Sequence, residues 1–391
     1  MRPYRLKDTM ISSFDNFDDI RPCYDAEAYG TLQKIIQDPL FMKLVNHLWP
    51  EMTLDEVIKK AEHVTSAMGF QKEFMHPAIR KIVERSSDGL TCEGFEKLDP
   101  KQPYLFISNH RDILLDSAIL QILLVENGHN TSEITFGNNL MEKGFITDFG
   151  RINRMFTVQR EGTGRELYDI SKRLSAYIRH TIGEKKVSVW IAQRNGRTKD
   201  GVDQTQTGLL KMLNISGKES FLKNFASLHI VPVSISYEYE PCDFLKVQEA
   251  YLSSLHTKYV KAPGEDLNSI VTGVVSPKGR IHLAISDPIT SDVLQLVESI
   301  PNENDKIKQL TTLIDQQIYR SYKLWPVNYI AFDVLEQSQA YTGFYTAQEK
   351  EKFLENMRSK ISKLQGDTET LSNLFLKIYA TPVKSKVLQT A

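Results

Sequence analysis

The residues best suited to chemistry in this chain of 391 residues are a histidine and two aspartates in the segment NHRDILLD: His110, Asp112 and Asp116. The segment follows the apolar run YLFIS, which predicts a buried strand. His110 therefore falls in a loop at the carboxyl end of a strand, where α/β sheets place their sites. A histidine acts as a general base when a carboxylate fixes its tautomer and stabilises its protonated ring. Its other ring nitrogen is then free to take a proton from an attacking hydroxyl.

Asp116 lies inside an apolar helix predicted over residues 113–125, where an ionised carboxylate is destabilising unless it is paired. In the alternative interpretation Asp112 merely caps this helix, Asp116 bonds to nearby backbone, and His110 is a loop histidine without a chemical role. The neighbouring Asn109 and Arg111, together with the strand before them, favour chemistry.

Basic residues cluster after two further predicted strands. Residues 151–218 hold 14 Lys and Arg against 6 Asp and Glu, a net +8, whereas the rest of the chain carries −9. Arginine forks suit phosphate oxygens, and glycine lets a backbone approach a ligand closely. If the strand ends share one edge of a sheet, the segment predicts an anion pocket beside His110. The basic residues of this segment that lie around the two strands are Arg151, Arg154, Arg160, Arg194, Arg197 and Lys199.

Composition and charge exclude several classes of protein. The total net charge of −1 argues against a broadly basic nucleic-acid binder, and no aromatic-rich basic stretch is present. The three cysteines lie far apart without a CxxC pair, so neither a disulfide framework nor a cysteine-rich zinc site is expected, and a reducing cytoplasm is the default. The longest apolar run is shorter than the roughly 20 residues that span a bilayer, so we expect any membrane contact to be peripheral.

Alternating short apolar runs and helical patterns predict an α/β fold with a central mixed, largely parallel sheet flanked by helices. Residues 1–85 have helical spacing punctuated by prolines and predict an N-terminal helical region. Residues 86–290 predict the α/β domain, in which residues 90–98, LTCEGFEKL, are expected to form one strand. Residues 291–391 predict charged amphipathic helices that pack on that domain.

Four blocks of this sequence resemble, in order, the motifs of the glycerolipid acyltransferases, the lysophosphatidic acid and glycerol-3-phosphate acyltransferase group. They are NHRDILLD, GRINRMFTVQR, WIAQRNGRTKDG and HIVPVSISY. The resemblance covers roughly residues 86–290, and the segment FDNFDDIRP is similar to a bacterial branch of the group. The resemblance implies an O-acyltransferase that moves a fatty acyl group from acyl-CoA or acyl-carrier protein to a lysophospholipid-like or glycerol-phosphate acceptor.

The resemblance also implies a role for individual residues. His110 would deprotonate the acceptor hydroxyl, and Asp116 would orient it. No metal and no resident cofactor would be needed. The substrates would be bound by Asn109 and Arg111 in the first block, by Arg160, Arg194 and Arg197 around the anionic head group, by Gly196 through its tight turn, and by Pro232 on the acyl side. The protein would act in the cytoplasm at the inner face of the membrane.

Two departures from the family pattern leave questions open. The family has four residues between its histidine and aspartate, whereas five separate His110 from Asp116, so Asp112 is a rival for the orienting role. Asn195 stands where the third motif has a glutamate, which puts the acceptor in doubt. A thioester hydrolase and a catalytically silent lipid- or anion-binding protein are the alternative functions, and the oligomeric state is open.

Overall fold

The computed structural model describes residues 17–138, 144–159, 162–255 and 259–387. The described strands form one seven-stranded sheet in the order β1-β7-β6-β2-β5-β3-β4. All neighbouring strands are parallel except β6 and β7, which confirms the mixed, largely parallel sheet. The strands are β1 (Gly89–Glu93), β2 (Leu105–Ser108), β3 (Glu133–Gly137), β4 (Met155–Val158), β5 (Val189–Ala192), β6 (Ile230–Tyr237) and β7 (Arg280–Ile285).

One predicted strand is shorter than expected. Residues 90–98 were expected to be extended throughout, but β1 ends at Glu93 and a 3-10 turn follows at Phe95–Lys97. Gly94 lies between them with φ +85°, in the left-handed region that glycine adopts without a steric penalty. A side chain at this position would also collide with the backbone of Ile285. Glycine therefore permits the turn that ends β1.

Helices precede the sheet, and prolines stand at the starts of two of them. Pro39 stands in the first turn of α2 and Pro77 in the first turn of α5, where proline is tolerated. The helices are α1 (Asp25–Gln37), α2 (Pro39–Leu48), α3 (Leu54–Ala61), α4 (Ala67–Phe70) and α5 (His76–Ser86), with a π-helical segment at Gln71–Met75. They enclose a small core of their own, which also takes in Ile152.

Helices of the central region cover both faces of the sheet. They are α6 (Leu115–Glu126), α7 (Phe145–Ile152), α8 (Gly164–Gly183), α9 (Thr207–Asn214), α10 (Phe221–Ala226), α11 (Asp243–Leu255) and α12 (Glu265–Val275). Strand β2 is buried on both faces: Phe106 packs in the cluster under α6, whereas Leu105 and Ile107 pack in the cluster under α8 and α9. The central strand that precedes His110 is therefore held rigidly.

The chain continues into further helices after the sheet: α13 (Ser291–Glu298), α14 (Glu303–Ser321), α15 (Pro326–Leu335), α16 (Ala347–Ile361) and α17 (Thr368–Val387). Helix α14 adds Ile314 and Ile318 to the core under α8, and α15 to α17 enclose a third cluster that includes Val247 of α11. Within the described ranges, every helix is too short or too polar to cross a bilayer.

Candidate active site

The loop that follows β2 is tied to the neighbouring strand β6 through Asn109. The amide oxygen of Asn109 accepts a hydrogen bond of 2.8 Å from the backbone N–H of Ile235, and its nitrogen donates one of 3.0 Å to the carbonyl of the same residue. The side chain thus pairs with β6 as an extra strand residue would. Asn109 is fully buried. Its side chain, which we expected to bind substrate, is therefore engaged with β6.

His110 and Asp116 form a close pair at the end of β2. The Nδ1 atom of His110 lies 3.0 Å from Oδ2 of Asp116, whose side chain is fully buried. The same oxygen accepts hydrogen bonds from the backbone N–H groups of Arg111 at 2.7 Å and Asp112 at 2.9 Å. A carboxylate oxygen that accepts these bonds pairs with His110 when Nδ1 carries the proton, and that tautomer leaves Nε2 without one. The Nε2 atom of His110 is then free to act as a base.

Asp112 has a different environment from Asp116. Its Oδ1 atom accepts hydrogen bonds from the N–H groups of Leu114 and Leu115 at 2.9 and 2.8 Å and so satisfies the first turn of α6. Its Oδ2 atom is buried and has no hydrogen-bond partner among the described residues. Burial, reinforced by the nearby charge of Asp116, raises the pKa of the Asp112 carboxyl. The carboxylate that contacts His110 is therefore that of Asp116.

Arg111 lies in a buried ion network and not in the cleft described below. Its guanidinium bonds to Asp203, to Glu240 at 3.3 Å and to the carbonyl of Gly201 at 3.3 Å. Burial opposes the charge, but Asp203 and Glu240 outweigh it and hold the Arg111 pKa well above its usual range. Lys246 completes the network by donating to Glu240 and to the carbonyl of Arg111, both at 2.6 Å. A side chain expected to bind substrate instead anchors the loop that carries His110.

A cleft opens beside His110, with about 540 Å³ of empty space that includes open solvent. The Trp190 ring stands edge-on to the His110 ring, with 6.1 Å between their centroids. One wall of the cleft is formed by Lys261, which precedes α12, and by Asp266 in the first turn of α12. The two side chains form an ion pair at 2.6 Å. The full lining is His110, Ile113, Thr135, Phe136, Gly137, Trp190, Ala192, Gly196, Arg197, Lys261 and Asp266.

The predicted anion-binding residues are only partly brought together. Gly196 and Arg197 both line the cleft, and Gly196 takes the left-handed conformation with φ +76°. The Arg197 side chain is 6% exposed, and its Nη1 atom is buried without a hydrogen-bond partner among the described residues. Arg194 is half-buried, is not part of the described cleft lining and donates to the carbonyl of Val202 at 3.1 Å. Arg160 lies outside the described residues.

Arg154 belongs to the opposite edge of the sheet. It precedes β4 and donates to Thr131, which precedes β3, through bonds of 2.9 and 2.8 Å. Parallel strands bring like ends together, so a residue before a strand cannot meet residues that follow one. The basic segment is thus divided between two edges.

Pro232 is buried in the middle of β6. It lies opposite Ile107 of β2, and its carbonyl accepts a bond of 3.0 Å from Ser286. The described lining of the cleft does not include it.

Several residues of the site were not predicted from the sequence, among them Trp190, Lys261 and Tyr237. Tyr237 donates a hydrogen bond of 3.0 Å to Oδ1 of Asp116. It ends the fourth block, on the same face of β6 as Val233 and Ile235, which pack under α6. This alternation is visible in HIVPVSISY and was the available signal. Lys261 lies outside the four blocks, and no pattern in the sequence pointed to it.

Comparison with known proteins gives a match over the segment that contains His110, Asp116 and Arg197. The acyltransferase family model matches residues 89–236. The crystal structure of the 1-acyl-sn-glycerophosphate (LPA) acyltransferase PlsC from Thermotoga maritima is similar to 74% of this chain and to 91% of its own, with 13% sequence identity and a TM-score of 0.37. None of the curated proteins matches the chain in sequence.

Proposed function

We propose that this chain, which carries an acyltransferase domain over residues 89–236, transfers a fatty acyl group from acyl-CoA or acyl-carrier protein to the hydroxyl of a lysophospholipid-like or glycerol-phosphate acceptor. The observation that carries the proposal is the His110–Asp116 pair at 3.0 Å, beside an open cleft. The pair has the geometry of an oriented general base.

The chemistry requires one proton to move in each direction. Nε2 of His110 takes the proton from the acceptor hydroxyl as its oxygen attacks the thioester carbonyl carbon. The new C–O bond forms, the C–S bond breaks, and the sulfur leaves with the electron pair. The imidazolium, stabilised by Asp116, then returns the proton to the thiolate. The thioester supplies its own leaving group, so the proposal needs neither a metal nor a resident cofactor.

Arg197 supports an anionic acceptor. Its Nη1 atom is buried, lacks a partner among the described residues and belongs to a side chain that lines the cleft. A phosphate oxygen would supply the missing acceptor in a charge-assisted hydrogen bond. Arg194 and Arg160 remain candidates for the same head group. Peripheral contact with the inner face of the membrane is part of the proposal, because a lysolipid acceptor resides in a bilayer.

The test combines a labelled acyl thioester with a mixed lysolipid panel and detects acylated products by mass spectrometry. We expect His110→Ala to lower transfer by roughly 100- to 10,000-fold, the usual range for a lost general base, without lowering the melting temperature. His180→Ala, on the outer part of α8, is the control and should retain activity.

Three outcomes would contradict the proposal. Normal thiol release by His110→Ala would remove His110 from the chemistry. Thioester consumption that does not depend on added lysolipid would indicate a hydrolase. Binding of phospholipid vesicles without acyl transfer, across several donors and acceptors, would indicate a silent lipid-binding protein.

A further inference from the structure

The hydroxyl of Tyr237 reaches the oxygen of Asp116 that faces away from His110. Val233 of β6 pairs with Ser108 of β2, and Tyr237, four residues further on, lies level with the loop that carries the histidine. Its hydroxyl is 3.0 Å from Oδ1 of Asp116. Tyr237 is 1% exposed and does not line the cleft, so it contacts the aspartate without access to substrate.

The two oxygens of Asp116 differ in how they are satisfied. Oδ2 accepts from His110 and from two backbone N–H groups, whereas Oδ1 has Tyr237 as its one hydrogen-bond donor among the described residues. A buried carboxylate oxygen without a donor is strongly destabilising. The neighbouring Asp112 already has one such oxygen. Without Tyr237, Oδ1 would lack a donor in its present orientation, and the carboxylate would no longer be held toward His110 from this side.

We infer that Tyr237 is a positioning residue for the general base: its O–H holds the Asp116 carboxylate in the orientation that keeps Nδ1 of His110 protonated and Nε2 free. The inference rests on the proposed function and names a further residue of the same site. Burial, with the charge of Asp116, raises the pKa of Tyr237 well above its usual range, so the phenol remains a donor at any working pH.

The first test is the kinetics of Tyr237→Phe, which removes the hydroxyl and keeps the ring. We expect kcat for acyl transfer to fall about tenfold, the effect of one hydrogen bond made through the base. KM for donor and acceptor should change less than about twofold, because Tyr237 does not line the cleft.

A matched control is available in Tyr177→Phe. Tyr177 is also 1% exposed and also donates to a buried carboxylate, that of Glu133 at 2.6 Å. Glu133 begins β3, so this pair lies at the opposite edge of the sheet from His110. The control should keep the kcat of the unmodified chain. Equal losses in both variants would show that buried tyrosine hydroxyls act only on stability, which would overturn the inference.

The second test asks whether Tyr237 acts through Asp116. In an Asp116→Ala background, Tyr237→Phe should reduce kcat by less than about twofold further, because its partner is already gone. A full tenfold loss in that background would overturn the inference. If Tyr237→Phe melts below the assay temperature, both kinetic measurements are repeated for all variants at a lower temperature at which Tyr237→Phe is folded.

The two proposals fail in different ways. Full activity in His110→Ala would overturn the proposed function itself. Loss of activity in His110→Ala together with unchanged kcat in Tyr237→Phe would overturn only the role of Tyr237.

Discussion

Asp112 lies in the loop before α6 and Asp116 in its first turn, and the two carboxyls have different hydrogen-bond partners. Asp116 has hydrogen-bond donors on both carboxylate oxygens. Asp112 has donors on one oxygen only, and burial raises its pKa. Of these two neighbouring carboxyls, one is thus the partner of His110 and the other caps the helix.

Because only Asp116 contacts His110, the two amide substitutions should have very different effects on kcat. Asp116→Asn should lower kcat for acyl transfer by roughly 100- to 10,000-fold, because an amide no longer enforces the tautomer with the proton on Nδ1. Asp112→Asn should change kcat less than about threefold, because its amide oxygen can still cap α6. Comparable losses of kcat in the two variants would contradict the assignment.

At the level of elements, helix α12 packs directly against the loop of His110. Gly273 of α12 faces the buried Oδ2 atom of Asp112 so closely that an added Cβ would overlap it. Another close contact joins the Sγ atom of Cys242 to the carbonyl of Ser269 at 3.1 Å. Because Gly273 has no side chain, α12 can pack close to the loop of Asp112, and this packing holds the loop in position.

Gly273→Ala should therefore displace the Asp112 loop and lower acyl transfer at least about tenfold, although alanine favours helix formation by about 1 kcal/mol over glycine. Gly208→Ala in the first turn of α9 is the control, because nothing lies within 4 Å of the added methyl group. The measurements are kcat and the melting temperature of both variants. Retention of full activity by Gly273→Ala would show that the loop tolerates the displacement.

Helix α14 brings a buried carboxylate, Asp315, against the backbone N–H of Thr205 at 2.8 Å. Burial raises the pKa of Asp315 to about 6. Between pH about 4 and 6 the folded chain therefore keeps a proton that the unfolded chain has released, so this group makes the free energy of unfolding fall as pH rises.

Asp315→Asn should remove that dependence. We expect the variant to gain about 1–3 kcal/mol in free energy of unfolding at pH 7 and almost nothing at pH 4, measured by urea denaturation at both values. Asp169→Asn on the exposed side of α8 should change neither. An equal gain at both pH values would show that the benefit does not come from the ionisation of Asp315.

At the scale of the whole molecule, the sequence predicted the sheet and the edge where the site lies, but not the contacts between distant parts of the chain. Alternation of strands and helices placed His110, Gly196 and Arg197 after parallel strands, and all three line one cleft. The role of Arg111 depends on Glu240, 129 residues away. Such a contact depends on tertiary packing and leaves no local pattern, so a buried arginine and a substrate-binding one look alike in sequence.

The outer face of α12 offers an apolar ridge next to the cleft. Leu267, Val271 and Val275 repeat every four residues and are 57%, 53% and 56% exposed. The ridge begins beside Lys261 and Asp266 at the cleft wall. If a lysolipid enters this cleft directly from a bilayer, the ridge beside the cleft would contact the lipid surface.

Combining Leu267→Asp and Val271→Asp should therefore weaken co-sedimentation with phosphatidylglycerol-containing vesicles several-fold, because each change places a charge where lipid would be. Leu296→Asp on α13, where the leucine is 74% exposed, supplies a control of the same chemistry. If the double variant sediments as well as the control, α12 does not contact the membrane.

The last described helix, α17, contacts two loops at the edge of the sheet where the site lies. The hydroxyl of Tyr379 donates to Asp243 at 2.7 Å and accepts from the backbone of Glu240, and Thr381 donates to the carbonyl of Asp200, 181 residues earlier. During synthesis, α17 must therefore leave the ribosome before these loops can form their contacts with it. The nascent chain should acquire its acyltransferase activity late, after the sheet has formed, because closing so long a segment is slow.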